Sequence, residues 1–124
     1  FSGLKTAVAH YRKRLPGEVG AAQLADICAG FQQAAVEMLC ERLMRAAREA
    51  GVGRVVVAGG VACNGALRAA LRAEAEAEGL RLVIPSPALC TDNGAMIAAA
   101  GSLRLARGER AGLDLNAHPS LPLA

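Results

Sequence analysis

Apolar residues recur at three- and four-residue steps through the first half of the chain, which predicts two helices. A short helix over residues 4–14 is ended by Pro16 and Gly17. A longer helix covers about residues 21–50, and Gly51 suits the position just after its end. The stripe of this helix that is expected to face inward consists of Leu24, Ile27, Cys28, Phe31, Ala35, Leu39 and Leu43.

The second half of the chain alternates short apolar runs with helical stretches. Residues 54–58 and 80–84 carry consecutive apolar side chains, as in parallel strands that are buried on both faces. A helix is expected over about residues 64–78, and an Ala-rich helix reaches roughly Arg107. The predicted class is therefore α/β, in the order α-α-β-α-β-α. Because an isolated pair of strands is marginally stable, partner strands are expected from missing sequence or from another chain.

Composition is typical of a globular chain, with 124 residues of which 53% are hydrophobic and 20% charged. The net charge of +3 is too small to indicate nucleic-acid binding by itself. The dense basic cluster at residues 12–14 is interpreted either as the solvated end of a helix or as a contact to phosphate.

Four cysteines are widely spaced and never form a CxxC pair, so neither a zinc ribbon nor a disulfide framework is predicted. Unpaired thiols fit a reducing, cytoplasmic compartment. No signal peptide is recognised, and no uncharged apolar run approaches about 18 residues, so no membrane contact is expected.

A glycine pair stands where the first strand runs toward a helix. Gly59 and Gly60 allow backbone N–H groups to approach a ligand, and Asn64 can add a directional amide contact to a nucleotide or acyl-adenylate. The structural interpretation is a tight turn in which Asn64 caps the helix. A third glycine is absent, so this is not the dinucleotide-binding fingerprint.

Asp92 lies in the loop that enters the last helix, where a carboxylate can bind a metal through oxygen. Either Asp92 or Asn93 can equally cap that helix. His10 and His118 lack ligand spacing and do not extend Asp92 into a metal site. No serine stands on a nucleophile elbow, so no hydrolytic triad is predicted.

Four motifs occur together in this chain: FSGLKTA at residues 1–7, DICAGFQ at 26–32, GGVACN at 59–64 and CTDNGAMIA at 90–98. With them the chain resembles the tRNA threonylcarbamoyl-adenosine transferase family, once described as glycoprotein endopeptidases. The similarity covers essentially the whole chain but only about the last third or more of a typical member. The resemblance therefore implies the C-terminal part of such a protein.

The resemblance implies an actin/Hsp70-like two-lobe fold, of which residues 1–124 form part of the C-terminal lobe and about 112–124 a tail. It implies transfer of the threonylcarbamoyl group from threonylcarbamoyl-AMP to the adenosine next to the anticodon of tRNA. By similarity, Asn64, Gly59 and Gly60 contact the adenylate. Asp92 matches an aspartate that joins two histidines in binding one divalent metal, iron-like or zinc. Auxiliary proteins that make and deliver the adenylate are the expected further partners.

The family's HxxxH histidine pair, its glycine-rich N-terminal substrate loops and the first strands of the lobe are absent from this sequence. We therefore expect the chain alone to bind metal weakly and not to catalyse, and no catalytic residue is assigned. The alternatives are another carbamoyltransferase of the same superfamily, and a non-catalytic partner or scaffold fragment of this fold. Upstream sequence containing HxxxH would favour the transferase.

Overall fold

The computed structural model describes residues 3–117 and residue 120. Phe1 and Ser2 of the first motif and residues 118, 119 and 121–124 of the predicted tail, His118 among them, lie outside the described residues. The elements are α1 (Leu4–Arg14), α2 (Ala21–Ala50), β1 (Arg54–Val56), a 3₁₀ turn (Gly60–Cys63), α3 (Gly65–Ala77), β2 (Arg81–Val83), α4 (Pro87–Cys90) and α5 (Gly94–Ala106). The α/β class is confirmed, and the order matches apart from the 3₁₀ turn and the short α4.

The long helix α2 ends where the sequence predicts. Gly51 has a φ of 63°, the left-handed conformation that glycine adopts without steric cost. Its N–H donates to the carbonyls of Ala47 and Arg48, and the N–H of Val52 also donates to Ala47. These bonds satisfy the last carbonyls of the helix and turn the chain toward β1.

The two strands pair in parallel, with Val55 opposite Leu82 and Val56 opposite Val83. The crossover between them is α3, as a parallel connection requires. Each strand has three residues, fewer than predicted. The pairing continues one residue further, because the N–H of Val57 donates to the carbonyl of Val83 at 3.0 Å.

The prediction that both strands are buried on two faces is wrong for the described residues. Val55 is buried, whereas its neighbour Val56 is 63% exposed and Val83 is 39% exposed. The inner face of the sheet covers a core formed by Cys40, Met44, Leu67, Leu71 and Ala75, with partly buried Val57, Leu82 and Ile84 packed against it. The core thus lies between the second half of α2, α3 and one side of the sheet.

The first half of α2 does not share in this core. Leu24 is 54% exposed and Cys28 is exposed, so the expectation that Cys28 is a buried thiol is wrong. Among the described elements α1 packs beside this half of α2, and neither α1 nor α5 contains a buried residue. No helix among the described residues is long and apolar enough to cross a membrane.

Candidate functional site

The two loops that carry the predicted site residues leave the same edge of the sheet. One follows β1 and contains the 3₁₀ turn, and the other follows β2 and contains α4. Because the strands are parallel, both loops leave from carboxyl ends, and the 3₁₀ turn contacts α4. Crevices outside the carboxyl ends of parallel strands are the usual ligand sites of α/β sheets.

The glycine loop leaves its backbone accessible. Gly59 has a φ of 93°, which side-chain-bearing residues rarely adopt, and its carbonyl accepts the N–H of Ala62 at 2.9 Å to close the turn. A Cβ placed at Gly59 or Gly60 would meet no atom within 4 Å. The open space beside both residues lets a ligand approach the backbone closely.

Asn64 is held at both ends of its side-chain amide. Its Oδ1 accepts the N–H of Leu67 at 2.9 Å, which makes it the N-cap of α3. Its Nδ2 donates to Oε1 of Gln32 at 3.0 Å. The capping interpretation is therefore confirmed. An amide nitrogen carries two N–H groups, so one donor remains beyond the bond to Gln32.

Beside Asn64 runs an open groove of about 540 Å³ between α1, α2 and the start of α3. Its walls are mainly apolar, with polar groups at Lys5, Gln32 and Asn64. Asn64 thus lies at the polar edge of a mainly apolar groove.

The cap of α5 is Asn93 and not Asp92. Oδ1 of Asn93 accepts the N–H of Met96 at 3.0 Å, and its Nδ2 donates to the carbonyl of Thr91 at 2.8 Å. Asp92 itself is exposed. The capping alternative for Asp92 is therefore wrong, because Asn93 caps α5.

The described residues do not complete a metal site around Asp92. They contain no cluster of three or more histidine, cysteine or acidic side chains, and His10 is exposed on α1. A carboxylate suits a hard or borderline cation, but one donor is not a coordination sphere. Any metal at Asp92 needs donors from beyond residues 3–117 and 120.

The family comparison settles the resemblance. The profile described as tRNA N6-adenosine threonylcarbamoyltransferase matches residues 1–99. The chain belongs to this family. The matched segment contains Asn64, Asp92 and both loops, and it ends within α5.

Curated relatives of this family align over nearly the whole chain. Proteins named tRNA N6-adenosine threonylcarbamoyltransferase are 49% identical over 123 residues in Syntrophotalea carbinolica, 54% over 123 in Symbiobacterium thermophilum and 55% over 121 in Anaeromyxobacter dehalogenans. Each alignment covers at least 97% of this chain. The chain spans only 36% of the length of these relatives.

Arg68 joins the two family loops, and the sequence interpretation missed it. Its Nη1 donates to the carbonyl of Ala62 at 2.7 Å, and its Nη2 donates to the carbonyl of Pro85 at 2.7 Å. Nη1 also lies 3.9 Å from Sγ of Cys90. One signal existed, because a cation near the start of a helix opposes the helix dipole and so needs a partner elsewhere.

The thiols of Cys63 and Cys90 belong to the same junction. Sγ of Cys63 lies 3.5 Å from the carbonyl of Pro87, and Sγ of Cys90 lies 3.5 Å from that of Pro85. All four cysteines of the chain are unpaired, as the spacing predicts. The two thiols are packing and hydrogen-bonding groups of the loop junction.

Proposed function

We propose that this chain is part of an enzyme that transfers the threonylcarbamoyl group from threonylcarbamoyl-AMP to the adenosine next to the anticodon of tRNA. The membership of residues 1–99 in the transferase family carries the proposal. The chain forms one wall of the site and is inactive alone, because it spans 36% of the length of its relatives.

The proposed fold is part of the C-terminal lobe of an actin/Hsp70-like protein, spanning residues 1–124 with a tail over about 112–124. Two exposed apolar surfaces support the proposal that another part of the protein packs against this chain. The outer face of the sheet exposes Val56 and Val83, and α5 exposes apolar residues along its length, including Ile97 at 71%. Further strands and the opposite lobe would cover such surfaces.

The adenylate contact is assigned to Asn64, Gly59 and Gly60. The N–H of Asn64 that is left after Gln32 donates to an acceptor on the nucleotide, while Oδ1 stays on the helix cap. The glycines let the nucleotide approach the backbone, since a Cβ at either position would point into open space. Both contacts position the donor substrate and need no proton transfer from this chain.

Asp92 is assigned as one ligand of a divalent metal, iron-like or zinc, shared with two histidines from outside this sequence. The support is the exposed carboxylate, which Asn93 frees from capping. When bound, such a metal supplies Lewis acidity and a template for orienting the acyl donor. The residues of this chain provide one oxygen donor on a loop that the α5 cap holds in place.

Positioning is the chemical contribution that this wall can make. The exocyclic amine of adenine is a weak nucleophile, so the activated donor and its orientation must supply much of the rate. Asn64 and the glycine loop hold the adenylate, and the acceptor adenosine approaches from the open side. AMP leaves as the bond between the carbamoyl carbon and the phosphate oxygen breaks. The new carbamoyl–nitrogen bond forms, and the amine gives up one proton to water.

The proposed partners are tRNA and the auxiliary proteins that make and deliver the adenylate, in the cytoplasm and without a membrane. The relatives are named as transferases that act on tRNA. The unpaired cysteines agree with a reducing compartment.

The test is transfer of labelled threonylcarbamoyl from threonylcarbamoyl-AMP to tRNA by the full-length gene product. We expect the unaltered protein to be active and Asn64→Asp and Asp92→Asn each to lose at least about tenfold in rate, because each removes one contact worth roughly 1.4 kcal/mol or more. Asn93→Asp is the matched control, because it keeps the acceptor for the cap. Wild-type rates in both Asn64→Asp and Asp92→Asn would refute the assignment.

A further inference from the structure

The guanidinium of Arg68 is the described side chain that bonds to both loops of the proposed site. One nitrogen bonds to the 3₁₀ turn at Ala62, and the other bonds to Pro85 in the loop after β2. Ala62 and Cys90, which flank the group, are 2% and 4% exposed. Both bonds are part-buried, and a charge-assisted bond that is partly shielded from water is stronger than one at the open surface.

The geometry requires an arginine. Two nitrogens of one planar group reach two carbonyls on different loops, each at 2.7 Å. The guanidinium presents its donors in a rigid fork, whereas a lysine ammonium is a compact charge on a flexible stem. A lysine at this position would bond well to one carbonyl only. It would therefore not hold the two loops at a set distance.

We infer that Arg68 is a positioning residue, which sets the distance between the loop that carries Asn64 and the loop that leads to Asp92. Arg68 bonds to protein carbonyls on both sides and has no assigned contact with substrate, so it acts through the loops. Only its effect on transfer rests on the proposed function.

The structural test uses thiol labelling of the 124-residue chain, with the modified cysteines located by mass spectrometry. The labelling rate of Cys90 measures access to the junction, and that of Cys40 measures access to the core. Cys28 is exposed, so its labelling rate measures the reactivity of the reagent. In Arg68→Ala we expect the labelling rate of Cys90 to rise about tenfold or more, because two charge-assisted bonds are lost. The rate at Cys40 stays unchanged, which separates loop release from unfolding.

Two further variants separate the effect of the Arg68 guanidinium from general effects of substitution in α3. Arg68→Lys is expected to leave Cys90 labelling elevated, because one ammonium does not replace the fork. Arg72→Ala is the matched control, an exposed arginine one turn further along α3. Unchanged Cys90 labelling in Arg68→Ala, or full protection in Arg68→Lys, would overturn the inference. If the labelling rate of Cys40 also rises in Arg68→Ala, that variant has lost its core. The labelling rate of Cys90 in Arg68→Lys then tests the inference.

The functional arm uses the transfer assay with full-length protein. Arg68→Lys should lower kcat by about tenfold or more while the unfolding midpoint stays near that of Arg72→Ala, since loop spacing and not the core is altered. If Cys90 is labelled faster in Arg68→Lys but kcat is unchanged, the positioning role is overturned. If the unaltered full-length protein does not transfer threonylcarbamoyl to tRNA, the proposed function fails, while the labelling result still stands.

Discussion

Each half of the Asn64 amide has a different partner, so its two roles can be separated by substitution. The carbonyl oxygen caps α3 through Leu67, and the nitrogen bonds to Gln32. A carboxylate at this position keeps an acceptor for the cap and loses every donor. The same logic distinguishes Asn93, which caps α5, from Asp92, which does not.

Asn64→Ala should lower the free energy of unfolding by about 1 kcal/mol, because the first turn of α3 loses its side-chain cap. Asn64→Asp should leave stability near the wild-type value, since an anion at a helix N-terminus is favourable. Urea unfolding followed by circular dichroism measures both. Equal losses in the two variants would show that the bond to Gln32, and not the cap, dominates stability.

Ionisation of the Cys40 thiol in the core makes the free energy of unfolding depend on pH. Burial raises the pKa of the Cys40 thiol above its ordinary value, and the negative charge of Glu74 raises it further. The folded protein therefore retains this proton at a pH where the unfolded chain loses it. The resulting stability is fully present below the ordinary thiol pKa and is lost as the pH rises through the raised value.

We expect the free energy of unfolding to fall between neutral and alkaline pH, and to fall less steeply in Cys40→Ala. Cys28→Ala is the matched control and should keep the wild-type slope, because its thiol is exposed. Urea unfolding across the pH range measures the slopes. Identical slopes in all three proteins would show that thiol ionisation does not couple to folding.

At the scale of elements, α3 is the helix that organises the chain. It packs on α2 through Leu67, Leu71 and Ala75, crosses between the strands, and carries Asn64 and Arg68 at its start. In contrast, α5 has an apolar sequence without a single buried residue. A helix with apolar residues on its surface is suited to contact another part of the protein.

Leu71→Ala should cost about 2–5 kcal/mol, because Leu71 is buried in the core and its truncation leaves a cavity. Leu105→Ala, on exposed α5, should change stability by no more than about 0.5 kcal/mol. Thermal and urea unfolding of the two variants provide a matched comparison of leucines. A large loss in Leu105→Ala would mean that α5 packs in solution against a surface not seen here.

At the scale of the whole molecule, the fold is open on one side. The outer face of the two-stranded sheet and both strand edges lack a covering layer among the described residues. Uncovered strand edges promote association between chains. This open surface supports the proposal that another part of the protein covers the sheet.

The 124-residue chain should bind Fe²⁺ or Zn²⁺ weakly, because its described residues offer no cluster of three ligating side chains. Calorimetric titration under anaerobic conditions, with Asp92→Asn as the control, measures this. We expect no stoichiometric end point and little difference between the two proteins. Tight one-to-one binding that Asp92→Asn abolishes would contradict the prediction.

The sequence by itself determined the family, the α/β class and the helix boundaries near Gly51 and Asn64. The family follows from the resemblance of the four motifs. The class and the helix boundaries follow from local rules, because periodicity, glycine and capping side chains act within one or two turns. The choice of Asn93 over Asp92 as a cap was not decided, since both residues have capping side chains.

Only the tertiary structure decided which apolar residues are buried and what Arg68 does. Cys28 and Val56 continue apolar patterns yet are exposed, because burial depends on whether another element lies opposite. Arg68 bonds to Ala62 and Pro85, the second of which is 17 residues away. Such contacts arise when parallel strands bring their carboxyl ends together, and no local pattern encodes them.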